Sequence, residues 1–466
     1  MKMSARRSRF ALPSRLCSEP SPGQFERNHG QPAGLKPHSD HNVATRRSTM
    51  KRFALGILTV LFLVCGQLPA ADWAQFRGSG ATGISADTSV PMEWSDTKNL
   101  AWKLALPGKG FSSPIVVGDK VLVTCYSGAS GNLSGLKRHL VCADRNTGKL
   151  LWKKDIASMA RERASASFGA SHGFASHTPT SDGERVYVLF GNTGVLAFDL
   201  AGKQLWRQDV GSESASRFGS ASSPVLYKNL LIVTAGAESE SMRAFEAKTG
   251  KPVWKTDAGS LNRSYSTPVF SKNAKGEVEM VISVTYETWG MNPMTGKLKW
   301  YAETEVDTNA VPTVVINEGV AYVIGGRSPG GRAAIRLGGS DDVTATHVLW
   351  SKTGGSYVSS PVFHKGHLYW VNDRGIAFCV DAKTGDEVTR KRIGGQFYAS
   401  MLLLGGNRLV AISRFGGTHI FNASTALSPV GRNRLSDTSD FSGSPAVVGN
   451  RMYLRSDKAL YCIGAK

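Results

Sequence analysis

Aromatic, basic and amide side chains recur at corresponding points of this chain, each close to the start of a predicted strand. Such side chains can stack on a planar ligand and pair with an acidic one. Because the strands belong to a repeat, we expect these residues to gather at one mouth of a central channel. Hydrophobic filling of the repeat ends is the alternative, and it is the commoner use of such residues. The set comprises Phe111, Phe174, His177, Arg217, Phe218, Arg263, Tyr265, Asn309, Tyr357, Phe397, Tyr398 and Phe441.

Two histidines, His172 and His177, are the candidates for proton transfer or ligation, because imidazole titrates near neutral pH. His172 lies in the largest insertion between repeats, residues 157–176, which is predicted to cap the mouth as a mobile flap. A surface histidine without a chemical role is the alternative. The sequence contains no C-x-x-C or H-E-x-x-H pattern, so no metal site is predicted.

The elements that must position these residues repeat about every 44 residues. Each repeat opens with Ser/Thr-Pro and an apolar run, as at Ser113-Pro114, and later carries a Thr-Gly turn that leads into tryptophan, as from Asp144 to Trp152. The intervening runs of β-branched and aromatic residues, bounded by Gly, Asn and Asp, are typical of strands and hairpins. Four such strands per repeat, without helical periodicity, predict an all-β propeller of four-stranded antiparallel blades.

The starts of the repeats predict eight blades, beginning near residues 112, 177, 222, 266, 310, 359, 399 and 443. The eighth repeat has too few strands before the last residue. A tryptophan-bearing strand around Trp102 precedes the first repeat and has no repeat of its own. We therefore predict that this strand pairs with the eighth blade, which places Trp102 near Tyr461 and closes the ring.

The recurring tryptophans and turn glycines are interpreted as structural. The indole ring offers a large apolar surface for packing against the next blade, and glycine supplies the positive φ that a hairpin turn needs. This set comprises Trp102, Trp152, Trp206, Trp254 and Trp300, with Gly148, Gly250, Gly296 and Gly385.

The formal net charge of +20 indicates attraction to acidic partners, although solvated turns are the simpler explanation. No basic cluster with interleaved aromatic residues is present, so nucleic acid is not an expected partner.

The first 98 residues are expected to lie outside the ring. Residues 50–71 combine a basic start, an apolar run and small residues, as in a secretory signal peptide. We therefore expect export to the periplasm, the cell envelope or the medium, with an uncleaved membrane anchor as the alternative. Residues 1–49 are interpreted as a disordered extension or a wrongly assigned start, 72–98 as an N-terminal arm and 99–466 as the propeller.

Three cysteines, Cys142, Cys379 and Cys462, occupy the same slot in the third strand of their repeats. Cysteines at equivalent places in different blades are expected to be buried, small apolar residues. A disulfide between Cys125 and Cys142 is the alternative in an oxidising compartment, although the strand register disfavours it.

The Asp-x-x-Thr-Gly-Lys-x-x-Trp turn and the Ser-Pro strand start resemble the PQQ-type β-propeller repeats over residues 72–466. The opening Trp73-Ala-Gln-Phe76-Arg77-Gly78 resembles the start of secreted, planctomycete-type members. The resemblance implies either a quinoprotein dehydrogenase, with PQQ and Ca²⁺ in the central channel, or a BamB-like scaffold of the outer membrane assembly machinery.

The sequence favours a non-catalytic scaffold over a dehydrogenase. It has no adjacent Cys-Cys pair, no C-x-x-C-H haem motif and no carboxylate–amide set that matches the quinoprotein ligands. No cofactor is expected, and PQQ with Ca²⁺ is implied only by the resemblance. We predict that a protein or a small acidic ligand binds at the propeller face, with peripheral association to the envelope. The alternative is a PQQ-dependent dehydrogenase of alcohols or sugars with divergent ligands.

Overall fold

The structure is a computed structural model that describes residues 72–128, 133–157, 174–212, 218–327 and 329–465. In this part of the chain the strands form eight sheets, each with four antiparallel strands, arranged in a ring. The predicted eight-bladed β-propeller is therefore confirmed. The predicted extension, signal peptide and most of the insertion at 157–176 lie outside the described residues.

Within each blade the strands follow one another outwards from the central channel. The Ser/Thr-Pro dipeptides precede the innermost strands, because proline, which lacks an N–H, is tolerated at the first residue of a strand. The strands of blades one to four are Ile115–Val117, Lys120–Ser127, Lys137–Asp144 and Leu150–Ala157; Thr180–Ser181, Arg185–Leu189, Val195–Asp199 and Gln204–Gln208; Val225–Tyr227, Leu230–Ala235, Ser241–Glu246 and Pro252–Asp257; and Val269–Lys272, Val278–Val284, Glu287–Met291 and Leu298–Glu303.

Blades five to eight follow the same order, except that blade eight takes its outer strand from the beginning of the propeller. Their strands are Val315–Asn317, Val320–Gly325, Gly331–Arg336 and Val348–Thr353; Val362–His364, His367–Val371, Ile376–Asp381 and Glu387–Arg392; Leu402–Leu404, Arg408–Ser413, Gly417–Asn422 and Pro429–Asn433; and Ala446–Val448, Arg451–Arg455, Ala459–Ile463 and Leu100–Ala105.

Two short strands extend blades with parallel pairing. Ile84–Ser85 adds to the inner strand of blade seven, and Asp341–Asp342 adds to the outer strand of blade four. The helices of the described residues are single turns, at Ser79–Ala81, Leu133–Gly135, Gly191–Thr193, Gly236–Ser239, Gly259–Arg263 and Thr344–His347. In the described ranges, no helix has the length and hydrophobicity needed to cross a bilayer.

The ring closes where the sequence predicted it. Leu100–Ala105 pairs antiparallel with Ala459–Ile463, which sets Lys103 opposite Tyr461 and Trp102 opposite Cys462. Both ends of the propeller thus share one sheet, and Ala459–Ile463 is not left as an unpaired edge.

Each tryptophan seals its blade against the next one. The indole N–H of Trp102 donates to the carbonyl of Arg145 at 3.0 Å, and its ring covers Gly148 of blade one. Gly148 has a φ of 72°, and a Cβ there would lie 2.5 Å from the Trp102 ring. The same indole-to-carbonyl bond joins Trp152 to Leu200, Trp206 to Ala247, Trp254 to Pro293 and Trp350 to Ala382.

Two tryptophans depart from the predicted pattern. Trp350 of blade five takes part in the series although no Thr-Gly turn precedes it. Trp300 of blade four donates instead to the buried carboxylate of Glu279 at 2.8 Å, which also accepts the N–H of Gly338. This carboxylate replaces the turn carbonyl at the junction of blades four and five.

The described cysteines are buried and free. Cys142 lies opposite Leu122, whereas Cys125 lies opposite His139, so the two sulfur atoms are out of register and form no disulfide. Burial raises the pKa of the Cys125 thiol to about 11 and that of Cys142 to about 12. The interpretation of the repeated cysteines as small buried residues is confirmed.

Candidate functional site

A cavity of about 160 Å³ lies on the propeller axis. Hydroxyl groups of the inner strand starts form its wall, and aromatic side chains line it together with a single carboxamide. The hydroxyl residues are Ser113, Ser223, Thr267, Thr313, Ser360, Ser400 and Ser444; the aromatic and amide residues are Phe76, Phe111, Phe218, Tyr265, Asn309, Tyr357 and Tyr398.

The Ser and Thr residues two positions before each inner strand join the blades through a chain of hydrogen bonds around this cavity. In six blades this residue precedes proline, which holds it in an extended conformation. In each link, the N–H of one blade donates to the hydroxyl of the next. The links run from Ser113 to Thr178 to Ser223 to Thr267, and from Thr313 to Ser360 to Ser400 to Ser444 and back to Ser113, at 2.9–3.1 Å.

The chain of hydroxyls is interrupted between blades four and five. At this point Pro312 precedes Thr313 instead of following it, although Thr313 stands two positions before its inner strand, as Ser113 does. Among the described residues, no group bonds the Thr313 hydroxyl oxygen. Val311-Pro312, in which valine replaces the usual Ser or Thr before proline, thus marks the junction in which this link is missing.

The N-terminal arm crosses one end of the channel. Trp73 bridges to Val116 in blade one, whereas Ile84–Ser85 pairs with blade seven. Between these two contacts Phe76 lines the axial cavity and Arg77 reaches blade six. Because these blades lie at different places around the ring, the arm runs across this end of the channel.

Arg77 fixes the arm with hydrogen bonds to backbone carbonyls alone. Its guanidinium donates to Ala81 and Thr82 of the arm and to Ser360 and Pro361 of blade six. The side chain is 1% exposed, and burial lowers its pKa to about 9. A guanidinium suits this position because its planar donors satisfy several carbonyls at once.

A second cavity of about 630 Å³ opens beside the mouth, between blades four and five. It shares Phe218, Tyr265, Asn309 and Tyr357 with the axial cavity. The Asn309 amide donates to the Tyr357 hydroxyl at 2.8 Å, which fixes the partition between the two spaces. The remaining lining residues are Gly259, Ser260, Asn262, Arg263, Thr285, Tyr286, Thr308 and Arg327.

This side cavity, as we call the second one, is rich in donors. Arg263 and Arg327 are exposed, and the hydroxyl oxygens of Thr285 and Thr308 are buried with no hydrogen-bond partner among the described residues. Thr308 and the neighbouring Tyr286 have φ values of 55° and 68°. A left-handed conformation in a non-glycine residue costs about 1–2 kcal/mol, so the surrounding contacts hold these two residues under strain.

The structure brings together seven of the thirteen predicted binding residues. Phe111, Phe218, Tyr265, Asn309, Tyr357 and Tyr398 line the axial cavity, and Arg263 lines the side cavity. His172 and Arg217 lie outside the described residues. The other four are placed elsewhere: Phe174 packs on Tyr126, Phe397 lies in the core of blades six and seven, and the remaining two are His177 and Phe441.

His177 is 1% exposed, and its Nε2 lies 2.8 Å from the Ser220 hydroxyl. The Phe441 ring stacks on Tyr461 at 5.8 Å within the core of blade eight. Neither residue lines the axial or the side cavity.

Arg414 is a supporting residue that the sequence did not reveal. Its guanidinium lies 4.3 Å from the ring centre of Tyr398 and 5.9 Å from that of Phe111. Asp440 holds it through an ion pair, with Nε 3.0 Å from Oδ2. Burial raises the pKa of Tyr398, so this phenol stays neutral and serves as a stacking and hydrogen-bonding group.

A family model described as outer membrane protein assembly factor BamB matches residues 136–391, which is more than half of the chain. The chain belongs to this family of PQQ-type propellers.

Two curated relatives share part of the sequence of this PQQ-type propeller. BamB of Burkholderia pseudomallei is 24% identical, with 67% of this chain and 84% of that protein covered. Tetrathionate hydrolase of Acidithiobacillus ferrooxidans is 23% identical over 66% of this chain, and the chain spans only 50% of that protein.

Two solved structures share its fold. BamB from Moraxella catarrhalis matches with a TM-score of 0.57 at 13% identity, over 79% of this chain and 97% of the other. Quinohemoprotein alcohol dehydrogenase from Comamonas testosteroni matches with a TM-score of 0.60 at 12% identity, over 85% and 81%. At these identities the likeness concerns the architecture alone.

The donor set of the axial cavity does not fit PQQ with Ca²⁺. Ca²⁺ prefers several oxygen ligands with carboxylates among them. The described residues that line the cavity provide hydroxyls and the Asn309 amide but no Asp or Glu. No cluster of acidic, His or Cys side chains suited to a metal occurs elsewhere in the described ranges. We therefore derive no oxidation step for this PQQ-type propeller.

Proposed function

We propose that this PQQ-type propeller is an exported binding protein whose channel mouth receives an acidic, planar group. That group belongs either to a small molecule or to a partner protein. The observation that carries the proposal is the shared wall of Phe218, Tyr265, Asn309 and Tyr357, which joins an aromatic cavity to a cationic one.

Charge and donors favour an anion in the side cavity. Arg263 and Arg327 supply positive charge, and Thr285 and Thr308 supply hydroxyls that a bound carboxylate can satisfy. No Asp or Glu is among the described residues that line the side cavity. Behind the lining, Asp307 accepts the backbone N–H of Arg327 at 2.9 Å, and Glu240 accepts the amide of Asn262 at 2.7 Å. The lining itself therefore carries two arginines and no carboxylate, which favours an incoming anion.

The arm across the far end of the channel supports binding rather than passage. Phe76 and Arg77 occupy the far side, so a planar group that enters from the mouth ends against the aromatic and hydroxyl wall. Pockets of this kind, mainly apolar with a few placed polar groups, are typical of small-molecule sites.

Export and association with the cell envelope are part of the proposal. The residues at 50–71 have the composition of a signal peptide, and the matching relatives include proteins named as outer membrane protein assembly factors. A scaffold role in the envelope predicts that the protein co-purifies with an outer membrane complex.

The binding proposal is tested with naphthalene-2,6-dicarboxylate as the probe, by calorimetry on the purified full chain. We expect binding that weakens about 10–100-fold in the Arg263→Ala/Arg327→Ala double variant, which corresponds to about 1.4 kcal/mol per tenfold. Arg336→Ala, an exposed arginine of blade five outside both cavities, is the matched control and should leave the affinity unchanged. Equal affinity in the double variant and the control would contradict the proposal.

PQQ-dependent oxidation is the competing function, and it makes an opposite prediction. If the chain is a dehydrogenase, addition of PQQ and Ca²⁺ yields dye-linked oxidation of an alcohol or a sugar. We expect no turnover, because the cavity lacks carboxylate ligands for the cation. Turnover that disappears in Asn309→Ala would replace the binding proposal with the enzymatic one.

A further inference from the structure

Three polar side chains form a continuous hydrogen-bonded row across blade one, away from both cavities. Ser127 is the last residue of the second strand, His139 lies in the third strand and Asp155 in the fourth. The Ser127 hydroxyl lies 2.8 Å from His139 Nε2, and His139 Nδ1 lies 2.7 Å from an Asp155 carboxylate oxygen. Nucleophile, base and orienting acid are thus arranged in the order that acyl transfer requires.

The protonation state of the row follows from its partners. Although burial acts in the opposite direction, hydrogen bonds from His139 and Lys153 hold the pKa of Asp155 below its ordinary value. An ionised carboxylate can only accept, so Nδ1 of a neutral His139 must carry the proton. The lone pair of Nε2 then faces the Ser127 hydroxyl, which is the tautomer that a general base needs.

The exposure of the three residues is also suited to catalysis. His139 is 2% exposed, so its ring is fixed and shielded, whereas Ser127 is partly exposed at the strand end. Asp155 is anchored on its outer side by Lys153, whose Nζ lies 3.1 Å from the same carboxylate oxygen. The base is therefore shielded from solvent, while the nucleophile keeps partial exposure.

We propose that blade one carries a hydrolytic site for carboxylic esters, with Ser127 as the nucleophile, His139 as the general base and Asp155 as the positioning residue. This activity is separate from ligand binding at the channel mouth and does not depend on it.

The reaction balances with water as the second reactant. Ser127 Oγ attacks the ester carbonyl carbon, and its proton passes to His139 Nε2. The C–O bond to the alcohol breaks, and the alcohol leaves with the proton from His139, so an acyl-Ser127 ester remains. Water, deprotonated by His139, then attacks this ester; the carboxylic acid departs and Ser127 regains its proton.

The proposal is tested on the purified full chain with a fluorophosphonate probe and with p-nitrophenyl acetate. We expect the probe to label Ser127, as identified by peptide mass spectrometry, and Ser127→Ala to abolish both labelling and ester turnover. His139→Gln should slow labelling about 10²–10⁴-fold, the range for loss of a general base. Asp155→Asn should lower kcat by at least about tenfold with KM unchanged, because the imidazole loses its preferred tautomer.

Ser220→Ala is the matched control. Its hydroxyl also lies 2.8 Å from a histidine Nε2, that of His177, but both residues are almost fully buried. This variant should label and turn over like the wild type. Asp155→Asn alters a half-exposed residue, so an unchanged melting temperature in this variant separates catalysis from folding.

Two results would overturn the inference. The first is a wild-type protein that stays unlabelled at Ser127 under conditions that label a known serine hydrolase. The second is equal labelling of the wild type and Asp155→Asn, which would reduce the row to a structural hydrogen-bond network.

Discussion

Replacement of Gly148 by alanine tests how the ring is sealed. Gly148 lies in the Thr-Gly turn of blade one, under the indole of Trp102 from the closing strand of blade eight. Gly118, in another turn of the same blade, also has a positive φ, of 54°, but nothing lies within 4 Å of a Cβ added there. Comparison of Gly148→Ala with Gly118→Ala therefore separates the cost of backbone strain from the cost of displacing the Trp102 ring.

The magnitudes follow from the geometry. A non-glycine residue in the left-handed region costs about 1–2 kcal/mol, and both variants incur this cost. In Gly148→Ala the new Cβ lies 2.5 Å from the Trp102 ring, so the indole must move by about 1 Å to reach ordinary contact. Overpacking of this kind costs about 1–3 kcal/mol more. We expect a loss of about 2–5 kcal/mol for Gly148→Ala and about 1–2 kcal/mol for Gly118→Ala.

Urea unfolding followed by tryptophan fluorescence measures both losses, with the change in midpoint at constant slope as the readout. Equal losses in the two variants would refute the reasoning, because the contact between Trp102 and Gly148 would then contribute nothing to stability. A loss in Gly118→Ala larger than in Gly148→Ala would refute it as well.

Three further predictions concern titratable and charged side chains. Burial would raise the pKa of Asp437, but hydrogen bonds from Ser456 and Tyr461 lower it to about 2. The ionised carboxylate therefore stabilises the folded state above about pH 4, and this contribution is lost as the pH falls towards 2. Urea midpoints of Asp437→Asn should therefore fall less steeply over that range than those of the wild type. Burial lowers the pKa of His419 to about 4, so its NMR titration should have a midpoint near pH 4. Folding stability should fall below about pH 6.5, because the unfolded chain binds the proton at a higher pH than the folded protein does. Arg77→Met should cost about 3 kcal/mol, because several backbone carbonyls lose their donor, and limited proteolysis should then cut the arm sooner.

Much of the fold is predictable because its signals are local. Ser113-Pro114 and its copies mark where inner strands begin, since proline is tolerated there and disrupts central positions. Trp102 has the residue pattern of a fourth strand without a repeat, and this alone predicts the closure of the ring. Trp350 was missed because the chain before it forms an insertion instead of the Thr-Gly turn.

The site was only partly predictable because its decisive contacts join distant residues. The aromatic residues of the mouth, such as Tyr357, could be placed from their position ahead of the inner strands. The hydrogen bonds between the Ser and Thr hydroxyls of the cavity wall could not be predicted, since each of them joins two blades that are distant in sequence. Arg77 meets Ser360 across 283 positions, and no local pattern reports such a pairing. His139 and Asp155 likewise become neighbours only through the strand register of blade one.

The arm that carries Phe76 and Arg77 lies across one end of the axial channel, so the mouth offers the direct route to the axial cavity. A protein that docks over the mouth would cover this route, and its residence time would then set how long a bound molecule stays.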